Sequence, residues 1–99
     1  MRRVVWSNAA RDDYFDILRH IAVDDPDAAE RVVRAIEKTG NSLADFATGH
    51  TGRIGGTYEK AVHRLPYIIA YALSADDASL TILHIIHTAR HWPSERWPG

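Results

Sequence analysis

Apolar residues recur along the chain first at helical and then at strand spacing, and the change of period falls at a glycine-rich stretch. Tyr14, Ile17, Leu18, Ile21 and Ala22 follow at i, i+3, i+4, i+7 and i+8, one stripe of a helix, while Arg11, Asp12, Asp13, Asp16 and Arg19 face elsewhere. Ahead of the stripe, Arg2 to Trp6 contains Val-Val-Trp, a run with strand propensity, and Ser7 or Asn8 can cap the helix. Asp12 and Asp13 suit the positive end of that helix. Asp24-Asp25-Pro26 stops it and starts the next, because Pro26 disfavours helical geometry at Asp25 yet fits a first helical position behind an Asp cap. The second stripe is Ala29, Val32, Val33, Ile36, Leu43 and Phe46, with Gly40 on the same face. Gly40 either permits a close approach of another element or marks a bend.

Residues 48–57 hold four glycines and predict a long loop rather than regular structure. Beyond it lie three segments rich in β-branched and aromatic residues: Tyr58 to Arg64, Pro66 to Leu73, and Ser79 to His87. Their short connections favour an antiparallel meander. The nearly unbroken apolar run of the last segment predicts an interior strand covered on both faces. The order β-α-α-β-β-β therefore predicts an α+β domain over residues 1–99, a helical hairpin packed on a small, mostly antiparallel four-stranded sheet.

At 99 residues and 45% hydrophobic content there is room for one core. A chain this size is only modestly stable alone and often gains stability from a partner. The absence of cysteine removes disulfides, thiolate metal sites and cysteine nucleophiles. The N-terminus has too short an apolar run for a signal peptide, and nothing approaches a membrane span, so a cytoplasmic protein is expected. The net charge of −1 lacks the basic excess that phosphate-backbone binding demands, which argues against direct, sequence-specific contact with nucleic acid.

Several residues invite a chemical reading. The glycine loop follows a helix and feeds a strand, the reverse of the strand-to-helix context of a phosphate-binding loop. His84, His87 and His91 have metal-ligand spacing only on a helix; in a strand His84 and His87 point to opposite faces, so no metal is expected. No cofactor is expected either. A nuclease reading uses Glu59 or a histidine to take a 2′-hydroxyl proton, Arg64 and Arg90 to stabilise the phosphate, and His87 or His91 to protonate the leaving oxygen. The bland alternative has Glu59 and Arg64 as a cross-strand pair and His87 and Arg90 securing the C-terminal segment. The stretch His91 to Pro98 carries two of three tryptophans; Trp92 suits the core, and Trp97 suits either the core or a partner surface.

Three segments together resemble the ParE-type toxins of the RelE/ParE superfamily. They are Ala10-x-x-Asp13 through Ile17 with Ile21-Ala22, Asp25-Pro26 and Ala28-Ala29; Gly56-Thr57-Tyr58-Glu59 leading to Arg64-x-Pro66-Tyr67-Ile68-Ile69-x-Tyr71; and His87-x-Ala89-Arg90-x-Trp92-Pro93. The resemblance implies the β-α-α-β-β-β fold and the toxic half of a type II toxin–antitoxin (plasmid stabilisation) module. It further implies neutralisation in a hetero-oligomer by a ParD-like antitoxin, whose C-terminal part folds onto the toxin, and poisoning of DNA gyrase. Such poisoning needs binding rather than catalysis, and Arg64, Arg90, Trp92 and Trp97 are the residues expected to carry toxicity. Tyr58 stands where many relatives carry an arginine. The alternative is a ribosome-dependent mRNA endoribonuclease of the RelE type, for which Glu59, Arg64 and His87 would be catalytic. The strongly basic character and the tail lysine or tyrosine of those enzymes are missing. Antitoxin contacts are expected on exposed parts of the two helices and on a sheet edge.

Overall fold

A computed structural model of the chain describes residues 2–52 and 55–88. The elements are β1 (Arg3–Trp6), α1 (Asn8–Ala22), α2 (Pro26–Ser42), β2 (His50–Thr51), β3 (Tyr58–Ala61), β4 (Tyr67–Leu73) and β5 (Ser79–His87). They form one sheet in the order β1-β5-β4-β3-β2, with β1 parallel to β5 and every other pair antiparallel. The α+β class and the helical hairpin are as the sequence predicts, but the sheet has five strands rather than four. The extra strand lies inside the glycine stretch. Gly49, at φ 123°, brings its Cα so close to β3 that an added Cβ would sit 2.3 Å from the Glu59 carbonyl oxygen. His50 and Thr51 can then pair with Glu59 and Tyr58, and Gly52 N–H closes the loop on the Thr57 carbonyl at 2.8 Å. Glycine here permits a tight return instead of excluding regular structure.

Local chemistry sets both helix starts. The Ser7 hydroxyl oxygen accepts from Ala10 N–H at 3.0 Å and lies 3.0 Å from the Leu83 carbonyl, to which it donates, so one side chain caps α1 and ties it to the sheet. Asp25 accepts from Ala28 N–H at 3.0 Å, with Pro26 opening α2. Gly40 marks a close approach. A Cβ there would meet Trp6 Cζ2 at 2.6 Å and the Ile82 Cδ1 at 2.8 Å, so α2 rests directly on the tryptophan of β1 and the middle of β5.

Two sequence expectations shift. α2 ends at Ser42 with Leu43 as its cap, and Phe46, placed on the buried stripe by its spacing, is 75% exposed because the helix has stopped before reaching it. β3 stops at Ala61 rather than running to Arg64. Arg64 takes a left-handed conformation at φ 62° in the β3–β4 turn, closed by a bond from Val62 N–H to the Tyr67 carbonyl at 2.9 Å. It therefore cannot be a cross-strand partner of Glu59, which pairs with Ala70.

The core lies between the helices and one sheet face: Ala10, Ile36 and Leu43 meet Ile69, Tyr71, Leu80, Ile82 and Ile85. β5 is an interior strand with Ile85 and Ile86, on opposite faces, both buried, as its apolar run predicts.

Candidate interaction surfaces

Two surfaces hold the chemistry. The first is the outer side of the hairpin. α2 fully buries Ala29, Val33, Ile36 and Gly40, whereas α1 fully buries only Ala10; its stripe of Tyr14, Ile17, Leu18 and Ile21 is partly buried, with Tyr14 and Ile17 packed against the core. Phe15 and Val23 are exposed. Trp6, Arg11, Tyr14, Phe15 and Glu37 line a groove between the two helices and β1. Tyr14 and Phe15 meet edge to face with ring centres 5.3 Å apart, and Trp6 Nε1 donates to Asn41 Oδ1 at 3.2 Å. Partial burial, reinforced by the negative charge of Glu37 and a long hydrogen bond to it, holds the Tyr14 hydroxyl above its ordinary pKa. The result is an aromatic strip with a cation at one side and an anion at the other, suited to an amphipathic helix.

The second is the sheet and its turns. Tyr58 stacks on Tyr71 with centres 5.6 Å apart, and the Tyr71 hydroxyl donates to the Thr48 carbonyl at 2.7 Å, holding the α2–β2 connection on the sheet. Burial, with the Tyr58 phenol next in effect, raises the Tyr71 pKa. Tyr67 meets the His87 ring edge to face at 5.2 Å. Where β1 ends, α1 takes over the open edge of β5. Asp13 Oδ2 accepts from Ile85 N–H at 3.0 Å and lies 2.7 Å from His84 Nδ1, and since a carboxylate only accepts, that ring nitrogen carries the proton. Asp13, read from the sequence as a residue facing away from the core, therefore fastens helix to sheet. The signal was present in the spacing: Asp13 lies three residues after the buried Ala10 and four before Ile17, on their face of the helix, but nothing in a single sequence marks the strand edge it reaches.

The expected site residues are spread out. Arg64 is exposed at the β3–β4 turn. Glu59 is buried on β3, opposite Ala70, which pairs with His84, while His87 pairs with Tyr67. Ala70 and Tyr67 are three positions apart, so Glu59 and His87 are on opposite faces of the sheet and, at ~4.8 Å between strands and ~3.4 Å per residue, about 14 Å apart. The histidine that shares the face of Glu59 is His84. Arg90, His91, Trp92 and Trp97 lie outside the described residues. Among the described residues, no group of three or more His, Cys, Asp and Glu could hold a metal ion. No described helix is long and apolar enough to cross a membrane.

Residues 4–92 match the family described as the ParE toxin of the type II toxin–antitoxin system parDE. A protein of Sinorhizobium fredii (strain NBRC 101917 / NGR234) named "Putative toxin Y4kP" is 39% identical over 93 residues, covering 93% of this chain and 94% of that one. Among solved structures, the chromosomal ParDE toxin–antitoxin system from P. aeruginosa superposes with a TM-score of 0.81 at 22% identity, covering 88% of this chain and 96% of the other. The toxin–antitoxin complex RelBE2 from Mycobacterium tuberculosis superposes with a TM-score of 0.62 at 18% identity, covering 87% and 96%. At such identities the two superpositions establish the fold, and the family match, spanning nearly every element from β1 onward, establishes the lineage. The chain belongs to the ParE toxin family of type II toxin–antitoxin systems.

Proposed function

We propose that the whole chain is one toxin domain that acts in the cytoplasm by binding DNA gyrase and trapping its DNA-cleaved state, and that a ParD-like antitoxin neutralises it in a hetero-oligomer. Trapping of this kind requires only that the toxin bind one state of the topoisomerase more tightly than the others. The observation that carries a binding rather than a catalytic function is the separation of Glu59 from His87 across the two sheet faces, with Arg64 at a turn, because general acid–base catalysis needs its groups within hydrogen-bond reach of one reacting centre. Arg64, Arg90, Trp92 and Trp97 are the proposed toxicity residues. The antitoxin is assigned to the outer side of α1 and the adjoining groove, where an amphipathic helix would cover Phe15 and the partly buried Tyr14 and Leu18.

The testing experiment adds the purified chain to gyrase, ATP and plasmid. The reading predicts loss of supercoiling with accumulation of linear, cleaved DNA, both abolished by the antitoxin. A folded, toxic preparation that leaves gyrase untouched would overturn it. The likeness to the RelBE2 fold keeps a ribosome-dependent mRNA endoribonuclease as the second reading, and cleavage of ribosome-bound mRNA by that same preparation would favour it.

A further inference from the structure

The helices cover only part of the sheet face on which they pack. α1 lies against β5 and α2 against β4, and β3 continues that face beyond them as a ledge. Register sets its surface. Tyr58 pairs with Tyr71 and Lys60 with Ile69, both core residues, so Tyr58 and Lys60 share the helix-side face, about 7 Å apart at two strand rises. Glu59, between them, turns to the opposite face and is buried. The Tyr58 ring is 37% exposed and rests on the ring of Tyr71, itself fixed by its hydroxyl bond to the Thr48 carbonyl. It is held as a flat platform.

The ledge ends in the β3–β4 turn. Leu65 N–H bonds there to the Val62 carbonyl at 3.2 Å, and Arg64 occupies the third position of the turn at φ 62°. A positive φ at that position favours glycine or asparagine, and an arginine is held there against its backbone preference. Among the described residues Asp77 is the other non-glycine residue with positive φ, and it has a local reason: aspartate tolerates the region, and its carboxylate pairs with Arg2. Arg64 lacks such a reason. Lys60, His63 and Arg64 take part in none of the described ion pairs, and His63 and Arg64 are exposed. A strained conformation kept for an exposed cation is the mark expected of a side chain that meets a ligand.

We propose that this ledge binds a single DNA strand, with one unstacked base on the Tyr58 ring and neighbouring phosphates on Lys60 and Arg64, the His63 ring adding a further polar contact. An aromatic platform beside cations outside any ion pair is the chemistry by which proteins hold single strands without reading their sequence. Two cations on a chain of net charge −1 give low affinity for a free strand, so the strand must be presented by the target. Only in that source does the proposal rest on the gyrase reading, in which the cleaved DNA supplies it.

Nuclear magnetic resonance titration of the unaltered chain with a short oligodeoxythymidylate at low salt tests the site. Amide shifts at Tyr58, Lys60 and residues 63–65 are expected, with a Kd on the order of 10⁻⁴ M and a slope of log K against log salt of about −1.4, or ~0.7 for each of two phosphates. Lys60→Gln and Arg64→Gly should each weaken binding roughly five- to tenfold and flatten that slope by ~0.7, whereas Tyr58→Ala should weaken it about tenfold with the slope unchanged. Arg64→Gly relieves the left-handed backbone, so its urea midpoint should equal or exceed the parent's. Loss of stability together with binding would make Arg64 a structural residue and remove it from the site. Shifts confined to other residues, or none at roughly millimolar strand, would overturn the proposal, and the corresponding RNA bound at least tenfold tighter would overturn its assignment to DNA. The gyrase cleavage assay separates the two readings. If the strand binds the ledge while gyrase is untouched, the site stands and the gyrase reading falls. If the Lys60→Gln and Arg64→Gly variants poison gyrase as the parent does, the site falls and the gyrase reading stands.

Discussion

The two helices of the hairpin are close in length, 15 and 17 residues, and both are amphipathic, yet they are covered very differently. α2 is seated on the sheet through Gly40 and fully buries four residues; α1 fully buries one, covers its apolar stripe only in part, and leaves Phe15 and the capping Val23 exposed. The difference separates what the fold needs from what it holds ready. α2 is a structural wall, tight enough to exclude a methyl group. α1 packs Ala10, Tyr14 and Ile17 on the core, is tied to β5 by the Ser7 cap and Asp13, and leaves Phe15 exposed on its outer side, available for a partner. A small domain that keeps apolar surface exposed gives up stability that a partner restores on binding.

Substitutions that add volume or remove contacts beneath α2 should have the largest effect. Gly40→Val would force atoms into Trp6 and Ile82, and a loss of about 3 kcal/mol is expected, measurable as a fall in the urea midpoint. Ile36→Ala, which empties a fully buried position, should cost about 2–5 kcal/mol. If either variant were as stable as the parent, the seating of α2 on the sheet would be wrong.

The polar fastenings of α1 come next. Asp13→Ala leaves the Ile85 N–H and the His84 ring without their acceptor, for an expected loss of about 2 kcal/mol. Ser7→Ala should cost about 1 kcal/mol through the lost cap. Amide exchange sharpens this pair of predictions: opening should increase in α1 far more than in α2, and a uniform increase would mean that the helices are not independently held.

Phe15→Ala should barely change stability, within about 0.5 kcal/mol, because the ring is half-exposed. It should nonetheless weaken antitoxin binding at least tenfold, about 1.4 kcal/mol, if that ring anchors the partner. Calorimetric titration that shows parent-like affinity would move the antitoxin off α1.

The smallest effect belongs to the turn between β4 and β5. Asp76 accepts from the Ser74 hydroxyl and the Ala78 N–H, which hold its carboxyl below the ordinary carboxylate range. A carboxyl whose pKa is lower in the folded than in the unfolded chain binds fewer protons there. Its contribution is therefore present above the unfolded-state pKa and lost as pH falls through the folded one. Asp76 is fully exposed, so Asp76→Asn should flatten the acid limb of the stability profile only slightly.

Much of this was legible in the chain and some was not, for identifiable reasons. Both helix starts could be read because caps are local: Ser7, Asp25 and Pro26 act on backbone groups within three residues. The apolar run of β5 announced an interior strand. β2 was hidden because two residues with no hydrophobic pattern pair only once Gly49 has brought them beside Glu59. Phe46 was misplaced because periodicity continues past the point where a helix stops. The scatter of Glu59, Arg64 and His87, like the reach of Asp13 to His84, depends on strand register and turn conformation, which residue types alone do not fix.

The contrast between the helices is tested most directly by hydrogen exchange on the chain alone and bound to its antitoxin. The account predicts new protection over residues 14–22 of α1 and little change over residues 29–40 of α2, already closed against the sheet. Protection confined to the sheet, with α1 exchanging as it does in the free chain, would contradict the assignment of the antitoxin to the outer side of α1.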